Sequence, residues 1–228
     1  MQNNTTVFLK ASSLSHYMVC PKRSKLESFF KIANYRPTTG AIHRGNRFHY
    51  IYSYMLRDFD RDLLMESYKL KYRKYSRSLK MDNLTVIVIG KLDDLVILRY
   101  HDKKYSVIKE LFTTGKEYPW STDILMKSTQ LKLYCWMYGP LLKYLGYPLW
   151  KRSYVEVYSQ KSGTLLRRVA VEYNEEVEKE LEEWIKYVVR SFQGIERMKV
   201  PHQKICKSCP KIVRLLCNWY KQRFGKYE

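Results

Sequence analysis

The chain is 228 residues long, 45% apolar and 28% charged, a composition that sustains a sizeable core and excludes an intrinsically disordered polymer. Lys and Arg number 42 against 22 Asp and Glu, and the formal charge of +20 predicts a polyanionic partner, nucleic acid before an anionic membrane surface. No apolar run reaches the roughly 18 residues of a membrane span, and Met1 to Lys10 lacks a signal-peptide pattern, so a cytoplasmic protein with no membrane association is expected.

Leu14, Tyr17 and Met18 after Ser12-Ser13 predict a short helix, Pro21 a break, and Leu26, Phe29 and Phe30 a second helix. From His43 to about Leu64, Phe48, Ile51, Tyr52, Met55, Leu56 and Phe59 recur at steps of three and four. That period predicts a long amphipathic helix with Arg44, Arg47, Arg57 and Arg61 on its other face. Leu84 to Ile89, Leu95 to Tyr100 and Tyr105 to Thr113 are short strand-like runs, separated by Gly90 and by the polar turn His101-Asp102-Lys103-Lys104. Three such runs in succession predict an antiparallel sheet.

Ser121 to Tyr138 returns to helical spacing, with a stop expected at Gly139-Pro140. Tyr154 to Gln160 and Thr164 to Tyr173 flank Lys161-Ser162-Gly163, a hairpin signal. Asn174 is placed to cap a helix whose first turns hold Glu175, Glu176, Glu178 and Glu180, favourable against the positive end of the helix dipole. No linker, repeat or low-complexity segment divides the chain, so one mixed α/β domain over 1–228 is expected.

Cys206-x-x-Cys209 with Cys217 lies near one end of the chain and Cys20-Pro21 near the other. Two thiolates from one tight turn can grip the same metal or cluster, and a third and a distant fourth complete tetrahedral coordination. Spacing alone leaves zinc and iron–sulfur both open. The plain alternative is a set of ordinary buried thiols. Cys135, beside Leu133 and Trp136 on an apolar helix, reads as a small core residue.

Gly90-x-x-Asp93 joins the first two predicted middle strands, and Glu110 lies in the third. Carboxylates side by side at a sheet edge repel unless a divalent cation sits between them. His49 on the long helix could add a nitrogen ligand, and Gln130-x-x-x-Tyr134 shares one face of the next helix. Singly, each has a dull explanation: a solvated or core histidine, a hairpin aspartate. In this order they form a specific series.

That series resembles the RecB-like branch of the PD-(D/E)XK nucleases. With Cys20-Pro21-Lys22 and the three C-terminal cysteines, it is similar to the CRISPR-associated Cas-four nucleases and their viral and exonuclease relatives, from about Ser13 to Cys217. The resemblance implies a restriction-endonuclease-like core, a central mixed sheet flanked by helices. It also implies a cysteine-clasped cluster module formed by about 13–32 with 200–221. His49, Asp93 and Glu110 would then bind Mg2+ or Mn2+, and Gln130 and Tyr134 would face the cleaved strand. Cys20, Cys206, Cys209 and Cys217 would hold a [4Fe–4S] cluster. The implied reaction is phosphodiester hydrolysis of DNA that is single-stranded or has free ends. The implied setting is a CRISPR integrase complex or an archaeal virus, with an oligomer left open.

Two positions depart from the family pattern. Seven residues separate Cys209 from Cys217, a longer spacer than the family's, and Phe112 stands where the third strand's Glu-x-Lys expects lysine. Lys109 cannot substitute, because successive strand side chains point to opposite faces. Lys127 is spaced three and seven residues from Gln130 and Tyr134, one helix face, and is the candidate replacement cation. The other readings are a cluster-containing DNA-binding or adaptor subunit whose chemistry was lost at Phe112, and a structural zinc module. Among the 21 tyrosines, Tyr50, Tyr72 and Tyr75 are candidates for stacking on unpaired bases.

Overall fold

A computed structural model of the chain describes residues 5–29, 61–71, 74–81, 83–115, 128–195, 209 and 211–217. In chain order the elements are β1 (Thr5–Lys10), α1 (Ala11–Ser15), a 3-10 turn (His16–Met18), α2 (Pro21–Phe29), α3 (Arg61–Lys71), β2 (Lys74–Met81) and β3 (Leu84–Lys91). Next come β4 (Asp94–Tyr100), β5 (Lys103–Thr114), α4 (Thr129–Tyr144), β6 (Arg152–Ser159), β7 (Leu165–Glu172), α5 (Glu175–Gln193) and α6 (Lys211–Leu216). The fold is mixed α/β, two sheets flanked by helices, in line with the class expected from sequence. The chain divides into two compact units, one drawn from 1–37, 78–89 and 180–228, the other from 38–77 and 90–179.

In the first unit β1 pairs in parallel with β3, from Thr5 opposite Leu84 to Lys10 opposite Ile89, within a sheet of order β1-β3-β2. Pro21 does not merely interrupt a helix; it opens α2, where its missing N–H and fixed φ are tolerated. Tyr17 is buried edge-on against Trp184 and Tyr187, and its hydroxyl donates to Ser191 Oγ at 3.0 Å. Leu26 of α2, Val213 of α6 and Cys217 form a small buried cluster with Cys209 packed against it.

The second unit is built on a sheet of order β4-β5-β6-β7. β4 and β5 form an antiparallel hairpin from Asp94 opposite Lys109 to Tyr100 opposite Lys103. β5 and β6 run parallel, with Glu110 opposite Val155, and β6 and β7 are antiparallel. The hairpin expected around Lys161-Ser162-Gly163 forms, with Gly163 at φ +71°, a conformation glycine adopts without steric penalty. The three-strand succession does not hold: the Leu84 run leaves the β4–β5 hairpin and joins β1, a strand the sequence pattern did not reveal.

The α4 terminator also fails in an instructive way. α4 continues through Pro140 to Tyr144. Proline cannot donate to the carbonyl four residues back, that of Trp136. Arg77 fills the gap, donating to the Trp136 carbonyl at 2.7 Å while its guanidinium lies 4.4 Å from the centroid of the Trp136 ring. A long-range cation thus replaces the lost helical bond. Asn174 caps α5 as expected, its Oδ1 accepting from the Val177 amide at 2.9 Å. The helix expected from His43 to about Leu64 lies outside the described residues up to residue 60, as do Ser121 to Lys127 of the next one.

Candidate active site

Glu110 sits in the middle of β5, 1% exposed, on the strand face opposite to that of Lys109 and Leu111. Asp93 immediately precedes β4, and its Oδ2 accepts from the Leu111 amide at 3.3 Å, which fixes it beside β5. Ser128, at the N-cap of α4, accepts from the Leu131 amide at 3.3 Å and donates through its hydroxyl to Glu110 Oε2. One small side chain thereby closes a helix end and aims a carboxylate. Sequence reasoning passed over Ser128; the available signal was a serine three residues ahead of the apolar Leu131, an ordinary N-cap pattern.

Electrostatics bind these groups into one site. Burial, supplemented by the charge of Asp93, pushes the Glu110 carboxyl up to about 8, against the opposing bonds from Ser128 and the Leu131 amide. The Tyr134 phenol is raised well above its usual range by burial first, then by Asp93 and Glu110. Gln130 Nε2 donates to the Tyr134 hydroxyl at 3.0 Å. Asp93, Glu110, Gln130 and Tyr134 therefore gather around the start of α4, together with Ser128. A buried carboxyl whose proton affinity is raised by burial and by a neighbouring carboxylate suits a hard divalent cation, which removes the repulsion. His49 and Lys127, the expected third ligand and replacement cation, lie outside the described residues.

Lys109 is committed elsewhere. Its ammonium stands 3.4 Å from Glu156 Oε1, and Glu156, fully buried, also accepts from Arg168 at 2.7 Å and from the Tyr158 hydroxyl at 2.7 Å. Burial raises the Glu156 carboxyl, but Lys109, the Tyr158 hydroxyl and Arg168 together hold it below the ordinary carboxylate range. The face alternation expected from sequence thus separates this ion-pair network from Glu110.

In the first unit, burial raises the Cys20 thiol, with a smaller upward push from Cys217, although the Arg23 amide donates to Cys20 Sγ at 3.4 Å. Cys217 and Cys209 share the α2–α6 cluster, and Cys206 lies outside the described residues. Cys135 is a core residue as expected: its thiol meets Ser153 Oγ at 3.4 Å, and burial pushes it up to about 12. Among the described residues no three His, Cys, Asp or Glu side chains converge closely enough to hold a metal ion. A further charged cluster went unread in the sequence: Glu27 accepts from His16 Nδ1 at 2.5 Å and from Arg23 Nε at 2.7 Å. Of the stacking candidates, Tyr50 and Tyr72 lie outside the described residues, and Tyr75 packs 5.4 Å from Tyr138.

The sequence profile of the PD-(D/E)XK nuclease superfamily matches residues 52–217. The solved structure of SSO0001 shares the fold, with a TM-score of 0.57 at 16% identity, covering 93% of this chain and 86% of that one. A Eubacterium rectale protein named "Putative exonuclease" aligns over 97% of this chain and 90% of its own, with a TM-score of 0.46 and 9% identity. No curated protein sequence matches the chain.

Proposed function

The chain belongs to the PD-(D/E)XK nuclease superfamily, and from that premise we propose that it is a metal-dependent deoxyribonuclease whose cation is held by Asp93, Glu110 and His49. The observation that carries this reading is the meeting of Asp93 and Glu110 at the capped start of α4. A Mg2+ or Mn2+ ion held by these residues would lower the pKa of a water and neutralise charge developing on the phosphate. The chain's own residues supply the rest. Ser128 holds Glu110 in one orientation, the Leu111 amide fixes Asp93, and Gln130 and Tyr134 present donors toward the strand. Lys127 takes the place of the motif lysine that Phe112 displaces. DNA with unpaired regions or free ends is the substrate, and the +20 charge supports backbone contact with steep salt dependence.

A finer reading follows from the cysteines. We place the chain with the Cas-four branch as a single nuclease domain, its cluster module made by about 13–32 with 200–221. In this reading Cys20, Cys206, Cys209 and Cys217 bind a [4Fe–4S] cluster, and the partner is a CRISPR integrase complex or its viral counterpart. The proximity of Cys20, Cys209 and Cys217 to the α2–α6 cluster supports it. Phe112 favours a second reading, an adaptor that binds DNA and has lost cleavage.

The decisive assay is manganese-dependent degradation of labelled single- and double-stranded DNA, with Asp93→Ala as control. Cleavage abolished in that variant is expected; no cleavage by the parent protein favours the adaptor. A brown anaerobic preparation containing iron supports the cluster, and a colourless one containing zinc refutes it.

A further inference from the structure

One end of the four-stranded sheet carries an aromatic row that the carboxylate site does not use. Tyr100 ends β4 opposite Lys103, and Tyr105 on β5 stands opposite Leu98 of β4, so Tyr100, Lys103 and Tyr105 share one face. Trp150 reaches the same place by donating its amide to the Ser106 carbonyl at 2.8 Å. Its ring lies 5.3 Å from Tyr100 and 4.9 Å from Tyr105, centroid to centroid. Tyr100 is 53% exposed, and Tyr105 and Trp150 are half-buried. Tyr100, which also lies 4.4 Å from the His101 ring, therefore brings a connected aromatic group out to the surface.

The charges beside these rings identify the partner's chemistry. Lys151 holds its ammonium 5.9 Å from the Trp150 centroid, and Lys103 is exposed beside Tyr100. Asp102 in the turn is the acid nearest in sequence, and Glu66 pairs with Lys104 at 3.8 Å. An exposed ring continuous with two half-buried ones and flanked by exposed cations fits a chain of flat rings joined by anions. A duplex keeps its base faces stacked inside, so the unpaired strand is the form that matches. Lys103 lies seven residues from Glu110 along β5, roughly 23 Å, so this surface is separate from the carboxylates.

We propose that this sheet end is a binding platform for single-stranded polynucleotide, its bases stacking on Tyr100 and Trp150 while Lys103 and Lys151 neutralise the backbone. The proposal rests on the DNA-directed reading above and adds where an unpaired strand is held apart from the cut.

The test is fluorescence anisotropy with a labelled oligothymidylate in EDTA, where no cleavage intervenes. Tyr100→Ala is expected to bind about tenfold more weakly, whereas Tyr100→Phe keeps parental affinity. An abasic strand of the same length should bind the parent and Tyr100→Ala alike, and Lys151→Glu should weaken both ligands. Unchanged oligothymidylate binding by Tyr100→Ala overturns the proposal, as does an equal loss for the abasic strand. Binding to phosphatidylglycerol vesicles that depends on Tyr100, in place of binding to the oligonucleotide, overturns it too. Manganese-dependent hydrolysis of bis(p-nitrophenyl) phosphate, too small to reach both places, separates the two readings. Its absence in the parent protein defeats the nuclease and leaves the platform standing; its retention in Tyr100→Ala agrees with separate sites.

Discussion

Glu110 receives its side-chain hydrogen bond from Ser128, the residue that also caps the helix carrying Gln130 and Tyr134. Helix capping and carboxylate orientation therefore rest on one side chain. Ser128→Ala is expected to destabilise the protein by about 1 kcal/mol through the lost cap. It should also weaken Mn2+ binding and cleavage by roughly 10- to 100-fold, the usual consequence of removing a partner that orients a ligand. Calorimetric titration of Mn2+ into Ser128→Ala and Ser128→Thr decides the matter, since threonine restores both bonds. Equal affinities in the alanine and threonine variants would remove the orienting role.

Lys109 neighbours Glu110 in sequence but serves Glu156 on the other face. Lys109→Met should therefore leave the cleavage rate unchanged and lower stability by about 2 kcal/mol. That is less than complete loss of a buried ion pair, because Arg168 and Tyr158 still contact Glu156. Urea unfolding alongside a cleavage assay separates the two effects. A large drop in rate with stability intact would return Lys109 to the catalytic site.

Phe112 lies two residues beyond Glu110, on the same strand face, at the position where the family motif has lysine. If Lys127 supplies the absent charge, Lys127→Ala cuts cleavage by about 100-fold or more, within the range for a lost transition-state contact. The double variant Lys127→Ala with Phe112→Lys then recovers part of it. The comparison of single and double variants checks the exchange: no recovery alongside an undiminished Lys127→Ala rate discards it.

The parts of the molecule legible in the sequence were those with strong local causes. Asn174 and the glutamates after it fixed the start of α5, and Gly163 marked its hairpin. Alternation alone put Lys109 and Glu110 on opposite faces. Pairing between distant strands was not legible: β1 carries only Val7, Phe8 and Leu9 as its apolar run, too short to announce a parallel partner at Leu84–Lys91. The end of α4 was misread because the remedy for Pro140, Arg77, lies 63 positions earlier in the chain. Asp93, Glu110, Gln130 and Tyr134 could be grouped from sequence because of their order, while Ser128 acts through geometry that no spacing encodes.

Arg77 carries a prediction of its own. It donates to the Trp136 carbonyl, stacks on the Trp136 ring and pairs with Glu178 at 2.8 Å. Removing it leaves a buried carbonyl without the donor that Pro140 already denies it. Arg77→Met should cost about 2–3 kcal/mol, whereas in a Pro140→Ala background, where the helical bond is restored, the same change should cost about half as much. Urea denaturation of the four proteins measures the coupling. Strict additivity would mean that Arg77 does not substitute for the missing helical donor.

Glu27 gives the first unit an acid-sensitive contribution to stability. Burial raises its carboxyl, yet the hydrogen bond and charge of His16 and those of Arg23 outweigh burial and leave it below the ordinary value of 4.5. A folded-state pKa lower than the unfolded one means the unfolded chain binds more protons through this window. The contribution is complete above the unfolded pKa and is lost as pH falls through the folded one. Glu27→Gln keeps the shape and removes the charge, so it should be less stable at neutral pH by about 2 kcal/mol, the scale of charge-assisted hydrogen bonds. The gap to the parent protein should close in acid, because protonation makes the two side chains electrically alike. Urea midpoints taken from neutral pH down into the acid range give both curves. If they remain parallel there, the Glu27 carboxyl binds protons equally in the folded and unfolded states, and its bonds to His16 and Arg23 do not favour the carboxylate over the acid.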